Sequence, residues 1–361
     1  MKILDRLDLQ VERRDESHIL IEVLAVALAL TGAIVTSGLL IKLAGADPVE
    51  GLVSLAKGGF GGTDRLLETL LRSTPLILTG LATVIAFRGE IWTIGQEGQF
   101  FAGAMMSYWV FTYVRDLPHI PLLLIIIFSG FVGGALLALI SGVMKAYFNV
   151  DIIISTVLLN YIINNVILML LYDKKYWMDP SQFYPRTETI PEVARYPLLF
   201  SEYRLHLGFA IAILAALLIS WTLKKTPLGF DIRALGGNPT ASKFRGININ
   251  SVILLTMLIS GGLAGLAGTG EVFGVHHKLQ MDISINYGYT GIIVGMLAEL
   301  NPLVTVLTAI FFGGLINGSV KLVTSLGIPT AVIYAIQAII LIFILSARVL
   351  ARFRIRRKDH V

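Results

Sequence analysis

The sequence contains no cysteine and few charged residues. The absence of cysteine excludes disulfide bonds and thiolate metal sites, and it leaves the redox compartment unassigned. Charged residues make up 15% of the 361 positions, whereas hydrophobic residues make up 55% and the mean hydropathy is +0.76. This composition lies outside the range of soluble globular domains and is typical of a polytopic membrane protein.

The usual sequence motifs of enzymes are missing as well. There is no G-x-x-x-x-G-K-[ST] phosphate-binding loop, no H-E-x-x-H metal motif and no G-x-S-x-G nucleophile motif. The adjacent residues His276 and His277 cannot share one face of a helix, so they predict no metal site. We therefore expect no catalytic residue, no metal and no cofactor in this chain, which cannot itself hold ATP in such a loop.

Long apolar runs take up most of the chain. Because a spanning helix needs about 20 apolar residues, these runs predict an all-α polytopic membrane protein with about ten transmembrane helices. The predicted helices lie near residues 19–43, 66–87, 91–114, 121–144, 151–172, 205–223, 251–271, 285–300, 303–322 and 329–350. The predicted organisation is an N-terminal segment 1–18, a transmembrane domain 19–350 with long loops at 173–204 and 224–250, and a basic tail 351–361.

The basic residues predict the orientation of this domain. An even number of spans places both termini on one side, and the densest basic clusters lie at the two chain ends and in the 224–250 loop. Cytoplasmic segments carry the excess of Lys and Arg, so we expect both termini and this loop in the cytoplasm, with 173–204 outside. The net charge of +5 reflects this distribution and does not indicate nucleic-acid binding.

The most polar stretch within an apolar region is Gly95-Gln96-Glu97-Gly98-Gln99. A carboxylate at bilayer depth costs about 2.5–3.5 kcal/mol unless it is paired or faces water, so the helix that carries Glu97 should lie inside a bundle. At 100° per residue, Gly95, Gly98 and Gln99 share one face and Glu97 lies nearly opposite. We therefore expect protein on at least two sides of this helix, with Gln96, Glu97 and Gln99 either bonded to neighbouring helices or in contact with a permeating solute.

A second polar line lies on the predicted helix 151–172. Thr156, Asn160 and Asn164 are spaced four residues apart and form one stripe. Amides in a membrane helix usually lie against protein or along a water-filled path. Neutral donors and acceptors would suit a polar, uncharged solute such as a sugar or nucleoside, although hydrogen bonding between helices explains any one of these residues equally well.

The 224–250 loop contains signals for a short helix. Asn238 is a favourable N-cap, Pro239 suits the first helical position and Gly246 can end the helix. These signals predict a two-turn helix over about 239–245 at the cytoplasmic surface. Ala241, Phe244 and Arg245 would then be available to enter a groove of a partner, and an ordinary surface loop is the alternative.

Several motifs in order along the chain resemble a known family. Ile94-Gly95-Gln96-Glu97-Gly98-Gln99 is similar to N-I-G-x-E-G-Q, with Thr93 in place of the usual Asn, and Ile154–Tyr161 resembles I-S-T-x-M-L-N-Y. Further similarities lie in Ser73–Gly80, in Ala234–Ala241, which is similar to A-x-G-x-N-x-x-A, and in Ser260–Gly268. From about residue 66 to 320, the chain looks like the permease subunit of bacterial ATP-binding cassette (ABC) importers for nucleosides and simple sugars, in the ribose/branched-chain-amino-acid permease superfamily.

The resemblance implies the partners and the localisation. It implies a cytoplasmic ABC ATPase, a second permease subunit, smaller and paralogous, an external solute-binding lipoprotein and a multi-pass position in the plasma (inner) membrane. The part of the 224–250 loop that resembles the family motif would transmit closure of the ATPase to the helices. The residues expected to take part in this coupling are Arg233, Ala234, Gly236, Asn238, Ala241, Phe244 and Gly246.

Three functions remain open at this point. The first is an ABC importer permease for a nucleoside or, alternatively, for a ribose-like sugar, with no catalysis in this chain. The second is an ion-coupled secondary transporter in which Glu97 carries protons. The third is an intramembrane enzyme, which lacks a convincing nucleophile and base.

Overall fold

The computed structural model of the chain describes residues 9–13, 19–181 and 183–357. These residues form two compact units, one made of the chain up to Gly61 together with the chain from Asn317 onward, and the other made of Gly62–Ile316. Of the predicted N-terminal segment 1–18 the structure describes residues 9–13, and of the predicted basic tail 351–361 it describes residues 351–357, which form the end of the last helix and a short strand. The cytoplasmic position of both segments stays a prediction.

The fold is helical apart from two short strands. In chain order the elements are β1 (Leu9–Arg13), α1 (Ile19–Leu43), α2 (Pro48–Phe60), α3 (Thr63–Arg88), α4 (Gln96–Val114), α5 (His119–Phe148), α6 (Ile152–Tyr172), α7 (Leu207–Lys225), α8 (Pro227–Gly237), α9 (Pro239–Phe244), α10 (Ile249–Gly270), a π-helix (Glu271–His276), α11 (Tyr287–Leu297), α12 (Pro302–Leu326), α13 (Thr330–Arg352) and β2 (Phe353–Arg357). Short 3₁₀ turns lie at Glu192–Ala194 and Met281–Ile283. The chain is therefore an all-α polytopic protein, as predicted.

The first unit adds two features that the periodicity did not predict. Strands β1 and β2 pair antiparallel, with Leu9 opposite Arg357. Helix α2 follows α1 after a bend of 114° between Ala27–Leu43 and Pro48–Phe60. Its start has a local cause, because Asp47 accepts a 2.8 Å hydrogen bond from the backbone N–H of Glu50 and Pro48 occupies the first turn.

Fewer helices meet a strict criterion for a membrane span than the ten predicted. Among the described residues, six helices are long and apolar enough to cross a membrane, or up to seven if the bent pair α1–α2 counts as one span. The six are Thr63–Arg88, His119–Phe148, Ile152–Tyr172, Leu207–Lys225, Ile249–His276 and Pro302–Leu326. The predicted span 285–300 is a helix of only 11 residues, and the count of ten stays a prediction.

Glycine allows the helices of the second unit to pack very closely. A Cβ atom on Gly103 of α4 would overlap the backbone of Gly265 in α10, and one on Gly268 would overlap the carbonyl of Phe100. Helix α5 joins the same cluster, since a Cβ on Gly134 would meet the carbonyl of Gly261. Small residues let membrane helices approach backbone to backbone, and here they bring α4, α5 and α10 into one packed core.

The long loop 173–204 is anchored to the end of α10. Backbone N–H groups of Thr187, Ile190 and Tyr196 donate to the carbonyls of Leu279, His277 and Phe273 at 2.8–3.0 Å. The accepting carbonyls lie in and just after the π-helix, a conformation that is often found at functional sites. The loop is therefore an ordered cover over this end of the helices.

Candidate functional site

The polar stretch around Glu97 marks the start of α4, not its middle. The predicted helix 91–114 begins in the structure at Gln96, because Ile91–Gly95 are not helical. This segment is bonded to α6 instead. Thr156 Oγ1 accepts the N–H of Ile94 at 3.2 Å, and the carbonyl of Ile94 accepts Asn160 Nδ2 at 2.8 Å.

Glu97 caps the start of another helix. Its Oε2 accepts a 2.7 Å hydrogen bond from the backbone N–H of Gly288, and its carboxylate also interacts with Ser284 and with the backbone N–H of Tyr289. The local N-cap residue of α11, Asn286, has φ +65° and provides no side-chain cap. A carboxylate at a helix N-terminus satisfies free N–H groups and complements the helix dipole, so Glu97 performs this task from α4.

Asn160 joins three elements with one amide group. Its Oδ1 accepts the N–H of Gly98 at 2.9 Å, and its Nδ2 donates to the carbonyl of Ile94 and, at 3.4 Å, to the hydroxyl of Tyr289. The close approach depends on glycine, because a Cβ on Gly98 would overlap the Asn160 side chain. Asn160 therefore braces α6 against α4 and α11.

The glutamines and Asn164 are placed differently from Asn160. Gln96 and Gln99 are buried, and Gln96 Nε2 donates to Thr83 Oγ1 at 3.3 Å. Their Oε1 atoms, and the Oδ1 of Asn164, are buried without a hydrogen-bond partner among the described residues. Asn164 itself is half-buried at the edge of α6. Of the six predicted residues, five lie in the packed core and only Asn164 reaches its border.

A network of charged residues near the N-terminus of α3 was not predicted from the sequence. Glu68 pairs with Arg72 at 3.4 Å and with Arg204 of the long loop at 3.8 Å, and Glu271 Oε2 of the π-helix lies 3.5 Å from His276 Nε2. The guanidinium of Arg72 also interacts with the buried hydroxyl of Tyr287, which links α3 to α11. The sequence does contain a signal for this network, because Glu68 and Arg72 are four residues apart at the start of a predicted span. Charged residues within membrane spans are usually paired and often mark a functional site.

The 224–250 loop contains two short helices with regular caps. Asn238 Oδ1 accepts the N–H of Ala241 at 3.0 Å and starts α9, which agrees with the helix predicted there. Gly246 follows the helix with φ +82°, a conformation that favours glycine. Gly236 lies against the carbonyl of Arg88 at the end of α3, so α8 is fixed to the helical bundle.

The other predicted coupling residues lie on the surface of these helices. Phe244 is 89% exposed, Arg233 and Ala241 are also exposed, and Ala234 is half-buried. The guanidinium of Arg245 lies 5.3 Å from the ring centre of Phe230. An aromatic ring this exposed beside cationic groups is typical of a surface that another protein covers.

Together these features define a class of protein. Apolar helices packed through glycine, a polar core and an exposed, capped surface helix are features of a membrane transport subunit. Among the residues that the structure describes, no group of three His, Cys, Asp or Glu side chains is arranged to hold a metal ion.

Comparisons with known proteins define the family. Residues 65–345 match the family model for the permease component of the branched-chain amino acid transport system, and the chain belongs to this family. It is 34% identical over 344 residues to the guanosine ABC transporter permease protein NupP of Bacillus subtilis, covering 92% of this chain and 94% of that protein. It is 31% identical to the nucleoside ABC transporter permease protein NupB of Lactococcus lactis, covering 85% of this chain and 86% of NupB.

A more distant relative has a sugar in its name. The glucose ABC transporter permease protein TsgB13 of Haloferax volcanii is 27% identical, covering 91% of this chain and 88% of that protein. No solved structure matches the chain. The chain is therefore a multi-pass ABC transporter permease, which is a transport protein and not an enzyme, and ABC permeases work with an ATPase and further subunits.

Proposed function

We propose that this chain forms the translocation path for a nucleoside in an ABC importer of the plasma (inner) membrane. The observation that carries the proposal is the similarity to NupP and NupB over more than four fifths of the chain. Uncharged polar side chains on α6 are in keeping with a neutral solute, since Asn164 and Asn165 carry amides and Tyr161 a hydroxyl. The proposed partners are a cytoplasmic ABC ATPase, a smaller paralogous permease and an external solute-binding lipoprotein.

Coupling to the ATPase is assigned to α8 and α9. The exposed ring of Phe244 would enter an apolar groove of the ATPase, and Arg233 and Arg245 would meet acidic side chains around it. Because Gly236 lies on the carbonyl of Arg88, a force on α8 would reach α3 directly. The segment therefore joins a docking surface to a buried helix of the bundle.

An import assay tests the solute. The chain, co-expressed with its partner ATPase, second permease and binding protein, should take up labelled guanosine or uridine in a host without other nucleoside uptake. Uptake should require ATP and be inhibited by vanadate. Loss of uptake on adding an uncoupler, with ATP held constant, would instead support the ion-coupled alternative.

A sugar is the second candidate, favoured by the similarity to TsgB13. The same cells offered labelled glucose or ribose in place of the nucleoside distinguish the two. Uptake of a sugar without uptake of any nucleoside would identify the sugar as the transported solute. The proton-carrier alternative is weakened by geometry, because the carboxylate it needs, that of Glu97, already accepts the N–H of Gly288.

A further inference from the structure

Two tyrosines on neighbouring helices present their rings outside the packed core. Tyr161 of α6 is 63% exposed, and Tyr289 of α11 is 36% exposed. Asn160, the residue directly before Tyr161 in α6, reaches the Tyr289 hydroxyl with its Nδ2 at 3.4 Å. Within the described part of the chain, this is the one hydrogen bond that either tyrosine side chain makes, so both rings are available to another molecule.

The position of Tyr161 along its helix argues against a lipid-facing role. Tyrosines that contact lipid gather where a membrane helix meets the headgroups. Tyr161, however, is the tenth of the 21 residues of α6, counted from Ile152. The exposed amide of Asn165 lies on the next turn, and polar side chains at mid-span usually face a bundle interior or a water-filled path.

An unpaired acceptor lies beside the tyrosines. Asn164 follows Tyr161 by three residues, so the two side chains lie on adjacent turns of α6. Its Oδ1 atom is buried and has no hydrogen-bond partner in the part of the chain that the structure describes. Buried amide oxygens are nearly always bonded. Because the Asn164 side chain as a whole is half-buried, rotation of its amide group would bring this oxygen to the surface, where a donor from outside the chain can reach it.

Contacts from Glu97 and from Asn160 hold Tyr289 in place. Glu97 caps the first turn of α11 through the N–H groups of Gly288 and Tyr289. Asn160 is itself fixed by Ile94 and Gly98. A contact site built on such supported side chains is held in one geometry before the solute arrives.

We propose that Tyr161, Tyr289 and Asn164 form a solute-contact site for the heterocyclic base of a nucleoside on the translocation path. The proposal rests on the nucleoside assignment above and adds the residues that touch the solute. The tyrosine rings supply faces and edges for a planar ring, and Asn164 Oδ1 accepts an N–H of the base. None of the three side chains carries a charge, which suits a neutral ligand.

The test uses the assembled importer reconstituted in proteoliposomes, supplied with saturating binding protein and labelled guanosine. We expect Tyr161→Ala and Tyr289→Ala each to lower the uptake rate about fivefold or more, the loss that corresponds to one stacking contact. Tyr161→Phe and Tyr289→Phe keep the ring and should retain most of the rate. Asn164→Leu, which removes the free acceptor, should also slow uptake.

A matched control separates this site from a general effect of losing an exposed ring. Tyr113 of α4 is 75% exposed and packs edge-on against Trp109, away from Tyr289. Tyr113→Ala should import at the wild-type rate. ATPase activity and co-purification of all subunits are measured for every variant, because a pathway contact should leave assembly unchanged.

Each outcome decides the question. Wild-type uptake in both alanine variants would overturn the proposed site. Uptake that falls only in proportion to a loss of assembled importer would also overturn it, because the tyrosines would then be interface residues. An unmutated importer that carries a sugar and no nucleoside would refute the proposed function and the ligand of this site together. Slower uptake with intact assembly and rescue by Phe is the supporting result.

Discussion

The carboxylate of Glu97 caps the helix that begins at Tyr287, through a 2.7 Å hydrogen bond to the N–H of Gly288, a residue 191 positions later in the chain. The contact is close because Gly288 has no side chain; a Cβ there would overlap the backbone of Glu97. A charge that is costly inside a membrane protein is thus paired with the N-terminus of a helix. Glu97 thereby fixes the turn that carries Tyr289.

Glu97→Leu should destabilise the fold by about 1–3 kcal/mol, because it leaves buried N–H groups of α11 without an acceptor. Glu97→Gln should cost less, since its Oε1 still accepts a hydrogen bond. Thermal unfolding of the detergent-purified permease measures both. The control is Glu202→Leu, an exposed loop position that should unfold like the wild type. Equal unfolding temperatures for Glu97→Leu and the wild type would contradict the capping role.

Asn160→Leu should also lower stability, because it removes the acceptor of the Gly98 N–H and the donor to the Ile94 carbonyl, both in the core. Asn165 lies on the same helix but is exposed and bonds only the carbonyl of Tyr161 among the described residues. Asn165→Leu should therefore be nearly neutral. Unfolding curves of the two variants make the comparison, and a similar small effect for both would show that the brace is weak.

Because Asn160 supports the packing of the helices, a loss of uptake in an Asn160 variant would not show contact with the solute. From the sequence, the stripe Thr156, Asn160 and Asn164 was open to two interpretations, solute contact or hydrogen bonding between helices. The structure places Thr156 and Asn160 in bonds to the segment before α4. Lost uptake in an Asn160 variant would report on folding. Within this stripe, Asn164 is the residue whose acceptor has no hydrogen-bond partner among the described residues.

Sequence reasoning found the helices and the short-range signals. Apolar length marked the segments, and Asn238, Pro239 and Gly246 marked α9, because caps act within a few residues. The same rule would have identified α2 from Asp47 and Pro48. The periodicity misplaced the start of α4, because Ile91–Gly95 carry no charge and continue the apolar run, yet they are not helical and Ile94 is bonded to Thr156 and Asn160 of α6.

Long-range partners could not be read from one sequence. Helical geometry separated Glu97 from the small face of Gly95 and Gly98, and so implied a second neighbour for it. That the neighbour is the N-terminus of α11 depends on a turn nearly 200 residues away. The pairing of Arg204 with Glu68 is of the same kind, because the loop must fold before the two charges meet.

Phe244→Ala should weaken binding of the ATPase by about tenfold or more, because an exposed aromatic anchor that becomes buried dominates an interface of this kind. Its ring is 89% exposed in the permease, so the fold should not be affected. Co-purification of the ATPase with the tagged permease measures the loss. Arg233→Glu should weaken the same complex by reversing a charge.

The long loop offers a matched control for this experiment. Phe183 is 98% exposed, and it lies in the segment that we place on the external side. Phe183→Ala should leave the ATPase bound as in the wild type. If the two phenylalanine variants lost the ATPase equally, or neither did, α9 would not be its docking site.

His206 should make stability fall as the pH is lowered. It precedes the span Leu207–Lys225, and its Nδ1 accepts the N–H of Gly208 at 3.0 Å, which requires the neutral ring. Burial, with the nearby charges of His277 and Arg204, lowers the pKa of His206 from 6.5 to about 4. The unfolded chain therefore takes up this proton near pH 6.5 and the native chain does not, so the stability present above pH 6.5 is lost progressively towards pH 4.

His206→Asn isolates this effect, because asparagine is a favourable N-cap that does not titrate in this range. The unfolding temperature of the wild type should drop more steeply between pH 7 and pH 5 than that of the variant. His277 lies nearby with its own pKa lowered, chiefly by burial, and it remains in both proteins, so its contribution cancels in the comparison. Parallel pH profiles would mean that His206 accepts its proton in the folded protein as readily as in the unfolded chain.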